Sequence, residues 1–157
     1  MSDEPIPPHD PARIDLRTDD LRWMGVALEE ADRAAAEGEV PVGCVLVKGG
    51  VEIARAHNRR ESSQDPTAHA EVLAIRAAAR EVGSWRLEGV TAYVTLEPCA
   101  MCAGALVNAR VGTLVYGAPE PRTGATESSA PSSITIISGV LATECRALMQ
   151  QFFQERR

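Results

Sequence analysis

Apolar residues at Leu21, Met24, Ala27, Leu28, Ala31 and Ala35 recur every three or four positions and stop before Gly38. That is the spacing of a helix with one buried face, and Thr18, Asp19 and Asp20 stand ahead of it as candidate N-caps. Two mostly apolar runs, 42–48 and 51–56, flank Gly49-Gly50 and predict a β-hairpin. A polar stretch over 55–65 reads as a loop. A second helix is expected over 69–81, with Val72, Leu73 and Ala77 around it and Gly83 beyond its end, followed by a strand over 91–95. The remaining pattern predicts a helix over 99–109, strands over 113–116 and 134–138, and a closing helix over 143–154 whose buried stripe includes Leu148 and Phe152. Residues 1–17 carry Pro and charge without any apolar period, so they read as a disordered arm ahead of a single domain over 18–157.

A chain of 157 residues is long enough to bury one core without staples. No apolar run is long enough to span a membrane, and no segment reads as a secretory signal. Four cysteines in such a chain fit a reducing compartment better than a disulfide framework, so the expected location is cytoplasmic. The formal charge of −6 argues against a generic nucleic-acid binder, which neutralises phosphates with Lys and Arg. A local basic patch remains open, with Arg55, Arg59, Arg60, Arg110, Arg122, Arg156 and Arg157 as its candidates and solvated surface arginines as the alternative.

Chemistry concentrates in two short stretches, His69-Ala70-Glu71 and Pro98-Cys99-Ala100-Met101-Cys102. Zinc favours imidazole and thiolate in a tetrahedron, and a catalytic site keeps one of the four positions for water. Cys99 and Cys102, three apart, project from one face of a helical turn, and a helix N-terminus favours their thiolate form. His69 and Glu71 are only two apart, so they share a site only if the chain is still extended at His69. Glu71 is then expected beside the metal-bound water, where a carboxylate does general acid/base work. A structural zinc knot or a redox pair would also use Cys-x-x-Cys. A structural knot would need a fourth ligand, and Cys44 and Cys145 each sit in apolar patterns typical of buried free thiols. The acid at Glu71 therefore favours a catalytic site.

The pairing of His-Ala-Glu with Pro-Cys-x-x-Cys, together with EVPVG over 39–43, DPTAHAE over 65–71 and TLEPCAMCAGA over 95–105, resembles the bacterial tRNA-specific adenosine deaminases, TadA. The likeness runs from about Leu21 to Ala125 and resumes over 137–145. It implies an α/β fold of the cytidine deaminase type: three α-β-α layers, a central five-stranded mixed sheet with a parallel last strand, and the zinc site at helix N-termini. It implies one zinc ion per subunit on His69, Cys99 and Cys102, with Glu71 catalytic, and hydrolytic deamination of adenosine to inosine by zinc-activated water. Asn58, Val40 and Glu120 are the implied substrate contacts, and the implied partners are a tRNA anticodon stem-loop or other single-stranded nucleic acid and a second subunit in a homodimer. Glu120 stands where the family commonly has Asp, which bears on RNA against DNA preference. A second departure is the segment ESSAPSS over 127–133, which stands where those deaminases usually carry a short helix and an Asn-His loop. That shortening keeps a second reading open, a deaminase of free guanine or cytosine or one with altered RNA/DNA specificity, and a non-catalytic partner subunit is the more distant rival.

Overall fold

A computed structural model of the chain describes residues 16–126 and 133–156. Five strands form one sheet in the order β2-β1-β3-β4-β5, where β1 is Gly43–Lys48, β2 Val51–His57, β3 Val90–Leu96, β4 Thr113–Ala118 and β5 Thr135–Ser138. β1 pairs antiparallel with β2 and β3, while β3, β4 and β5 run parallel. The sheet is thus mixed, and its last strand is parallel as expected, with Thr113 beside Thr135 and Tyr116 beside Ser138. No helix among the described residues is long and apolar enough to cross a membrane.

Strand alternation divides the core into two clusters. Cys44, Leu46, Ala92, Val94 and Leu114 point to one face, and Val45, Val47, Tyr93 and Val115 to the other. Helices cover both faces, which is why these strands read as nearly continuous apolar runs. Helices α1 (Leu16–Ala36) and α5 (Ala142–Gln154) lie on the second face, and α3 (Ala70–Val82) and α4 (Ala100–Asn108) on the first. α1 approaches β1 so closely that a Cβ at Gly43 would collide with the Ala27 carbonyl.

Several sequence expectations need correction. α1 begins at Leu16, inside the arm expected over 1–17; residues 1–15 lie outside the described residues. Asp20 therefore does not cap the helix. It is buried and accepts a hydrogen bond of 2.8 Å from the Tyr93 hydroxyl on β3, which anchors α1 to the sheet. Burial, with Asp20 beside it, holds the Tyr93 hydroxyl above its ordinary pKa. The loop expected over 55–65 contains a short helix, α2 (Arg60–Ser63). The buried face of α3 is carried by Ala70, Glu71, Ala74 and Ala78, whereas Ala77 is exposed. In α5 Phe152 is buried, but Leu148 only half so. Most of the 127–133 connector, residues 127–132, lies outside the described residues.

Candidate metal centre and active site

The two chemical stretches meet because each opens a helix at the same end of the sheet. His69 is the N-cap of α3, with φ −75° and ψ 151°, and Cys99 is the N-cap of α4, with φ −73° and ψ 175°. Both caps are extended, so the chain turns into the helix just after the ligand-type residue. That extension lets His69 and Glu71, two apart, face one space. Cys102 lies in the first turn of α4, fully buried. Gly83, at φ 70°, closes α3 in the left-handed conformation that favours glycine.

The His69 Nδ1 atom lies 3.7 Å from the Cys99 Sγ and 3.5 Å from the Cys102 Sγ. Ordinary Zn–S and Zn–N bond lengths at a tetrahedral angle separate such ligand atoms by about 3.6 Å. One ligand atom from each of the three side chains lies within 4.8 Å of the others. Donor chemistry and spacing thus both fit zinc, and the group could hold it while leaving a fourth position to water.

Electrostatics distinguish the two sulfurs. The Cys102 thiol donates to Cys99, and the backbone N–H groups of Cys102 and Met101 add to it, so the Cys99 thiol is drawn down to about 5. The Cys102 thiol, facing Cys99 and buried beside Glu71, is held well above its ordinary value. Glu71 is 4% exposed, and burial pushes its carboxyl upward, opposed by its polar contact with Cys102. Cys44 and Cys145 are buried free thiols, both pushed up chiefly by burial, Cys145 to about 12. Neither joins the His69 group.

A cavity of about 970 Å³ opens above these residues. His69, Glu71 and Cys99 form its floor, and Val40, Asn58 and Glu120 stand on its walls, so of the expected metal, catalytic and substrate-contact residues all but the buried Cys102 line it. The Asn58 side chain is engaged at both ends by backbone. Its amide donates to the Val40 carbonyl at 3.4 Å, and its Oδ1 accepts from the Arg60 N–H at 3.2 Å. The wall is therefore one piece from Val40 through α2. Glu39, 1% exposed, supports it from behind by accepting from the N–H groups of Glu61 at 2.8 Å and Ser62 at 3.2 Å. These are the donors that open α2, satisfied by a carboxylate from the end of α1.

The candidate arginines separate by position. Arg60, Arg122 and Arg156 line the cavity. Arg55 pairs with Glu52, and Arg110 stacks near Trp85 and donates to carbonyls of its own helix end, while Arg157 lies outside the described residues. Sequence reasoning missed the wall supplied by α5, where Arg146, Met149 and Phe153 also face the cavity. Phe153 is 47% exposed, and a large apolar residue beside the buried Phe152 but off its stripe was the available signal.

Residues 17–118 match the family model described as the cytidine and deoxycytidylate deaminase zinc-binding region. The chain is 47% identical to the tRNA-specific adenosine deaminase of Bacillus subtilis, over 89% of this chain and 92% of that one. It is 44% identical to the enzyme of the same name from Haemophilus influenzae, over 88% of this chain and 85% of that one. Among solved structures it is similar to one from a study of A-to-I editing by tRNA:A34 deaminases at the wobble position of transfer RNA, with a TM-score of 0.77 and 44% identity over 81% of this chain and 98% of that chain. Fold, donor set and likeness agree that this chain belongs to the zinc-dependent cytidine and deoxycytidylate deaminase family.

Proposed function

We propose that the chain converts adenosine to inosine within nucleic acid, and that its substrate is the wobble adenosine of a tRNA anticodon loop. The observation that carries this reading is the 47% identity, along 89% of the chain, to the Bacillus subtilis tRNA-specific adenosine deaminase. The cavity supports it, since about 970 Å³ lies at the upper end of the range for pockets that enclose a small-molecule ligand, and four arginines, Arg60, Arg122, Arg146 and Arg156, stand on its walls. A base must leave its stack to reach Glu71 and the ligand residues inside the cavity, which favours a loop or single strand over a duplex.

In this reading His69, Cys99 and Cys102 hold one zinc ion. Bound there, zinc supplies Lewis acidity that brings proton loss from water to near-neutral pH. Glu71, beside the ligands on the cavity floor, takes the proton of the attacking water and returns it to the adenine ring nitrogen next to C6. It then carries the second proton to the departing amino group. The water oxygen ends on C6 and ammonia leaves, so atoms and charge balance. Val40 and Asn58 orient the base from one wall and Glu120 faces the neighbouring nucleotide from the other.

The same reading takes the protein to act as a homodimer in the cytoplasm. Four cysteines without a disulfide among them suit a reducing compartment, and the homodimer follows from the likeness to the tRNA-specific adenosine deaminases. The deciding experiment supplies zinc-loaded protein with an adenine-containing anticodon hairpin, its single-stranded DNA counterpart and a panel of free bases, and measures inosine by mass spectrometry. Turnover of the hairpin is expected. Activity confined to free guanine or cytosine would overturn the reading in favour of a small-molecule deaminase.

A further inference from the structure

Glu97 stands immediately before the Pro98-Cys99 pair, yet its carboxylate is turned to the other side of the cavity. There it holds both ends of one loop. Oε1 accepts from the Glu120 N–H at 3.1 Å, and Oε2 accepts from the Thr126 N–H at 3.2 Å and the Thr126 hydroxyl at 2.6 Å. Between these points Gly124 crosses the carboxylate so closely that a Cβ there would collide with Glu97 and with the Glu120 carbonyl. Backbone contacts complete the attachment: Glu97 N–H to the Ala118 carbonyl at 2.9 Å, and Ala125 N–H to the Pro98 carbonyl at 3.1 Å. The loop so held presents Pro119, Glu120, Pro121, Arg122 and Thr123 to the cavity that contains Glu71. The Glu120 side chain is itself folded back, with Oε1 accepting from the Arg122 N–H at 2.9 Å.

We propose that Glu97 is a positioning residue for substrate: by tying Glu120 to Thr126 it fixes the wall that grips the polynucleotide around the target base, and so governs affinity without entering the chemical step. The inference rests on the proposed nucleic-acid substrate. The chemical argument turns on the acceptor count. Three donors converge on the side chain, and a carboxylate meets them with two oxygens. Glutamine has the same shape but one acceptor oxygen, and its amide group would meet donors with a donor. Glu97→Gln therefore releases one end of the loop while the backbone contacts to Ala118 and Pro98, and with them the metal ligands, stay in place.

The test uses the full zinc-loaded chain and three readouts. In single-turnover deamination of the anticodon hairpin, followed against enzyme concentration, Glu97→Gln is expected to raise the half-saturating concentration about tenfold or more. The saturated rate and the zinc content should stay within about twofold of wild type, well inside one tenfold step in free energy. Amide hydrogen exchange at Glu120 and Thr126 should quicken about tenfold without a matching change across α4. An unchanged half-saturating concentration, or a saturated rate that falls as much as affinity does, would overturn the proposal. Should Glu97→Gln fail to fold, Thr126→Val, which removes the hydroxyl donor at 2.6 Å while leaving the carboxylate and Gly124 in place, is judged by the same criteria. A wild type that ignores the hairpin sinks the substrate reading instead, and exchange at Glu120 and Thr126 still decides whether Glu97 holds the loop.

Discussion

On the floor of the cavity His69, Glu71, Cys99 and Cys102 take their positions from two helix N-termini, whereas Asn58, Glu120 and Arg122 on its walls take theirs from loops tied down by carboxylates distant in sequence. A floor residue is placed by its immediate neighbours: an extended cap, one helical turn, and the end of the sheet beside it. A wall residue is placed by a contact across more than twenty positions, Glu39 to Glu61 on one side and Glu97 to Glu120 on the other. Under the proposed function the two constructions separate two tasks. Reaction chemistry needs ligand atoms fixed to a fraction of an ångström, which backbone-set helix ends supply. Substrate choice is adjusted in loops, which tolerate change without disturbing the elements that carry them.

The strongest way to break this comparison is to show that the floor does not hold the chemistry. Glu71→Gln keeps the shape of the side chain and removes its ability to accept a proton from water. Turnover is expected to fall by about 10³-fold or more, with hairpin affinity and one zinc per chain preserved. Inosine formation by mass spectrometry, alongside metal content, measures both. Residual activity within tenfold of wild type would place proton transfer on another group.

A smaller effect sharpens the difference between the two walls. Glu39 is 1% exposed and joins the end of α1 to the opening of α2, so it belongs to the folded core as well as to the wall. Glu97 is half-buried and holds one loop at the mouth of the cavity, whose end is also fastened by the backbone contact of Ala125 to Pro98. Glu39→Ala removes the acceptor for two backbone donors and is expected to lower global stability by about 1–3 kcal/mol. Glu97→Gln should leave global stability within about 0.5 kcal/mol of wild type, because its loop opens locally. Urea unfolding of the three proteins decides the matter. Equal destabilisation by both substitutions would mean that the walls are anchored alike.

The same contrast explains what could be read from the sequence. His69, Glu71, Cys99 and Cys102 are recognisable because spacing of two and three residues converts directly into direction on a cap and a helical turn. The hairpin and the apolar runs of β1 and β3 were legible for a similar reason, since each rests on local pattern, whereas the parallel last strand was expected from the family resemblance. Glu39, Glu97 and the α5 wall were not. Their roles depend on partners 22 to 29 residues away or on a helix face turned toward the cavity, and no periodicity encodes those. Asp20 misled for a related reason: an acid at a helix start reads as a cap, yet its partner is Tyr93, 73 positions on.

The smallest effect tests whether the approach to the floor is local too. Asp65 Oδ1 accepts from the Thr67 hydroxyl at 2.7 Å and from the Thr67 N–H at 2.8 Å, a turn that sets the chain direction into His69. Those bonds, the hydroxyl first, hold the Asp65 carboxyl below its ordinary value. A depressed pKa means that the folded protein binds this proton less readily than the unfolded chain does. The associated stability is therefore fully present above the unfolded value of about 3.9 and is lost as pH falls through the folded value. Asp65→Asn keeps an acceptor for both donors but cannot titrate. The stability difference between wild type and Asp65→Asn should hold steady from pH 7 to about 5 and shrink below about 4, as urea unfolding at each pH will measure. Metal loss in acid acts on both proteins and cancels in that difference. If the difference were the same at pH 3 as at pH 7, the charge on Asp65 would have no part in shaping the turn, and the approach to His69 would rest on Pro66 and the backbone alone.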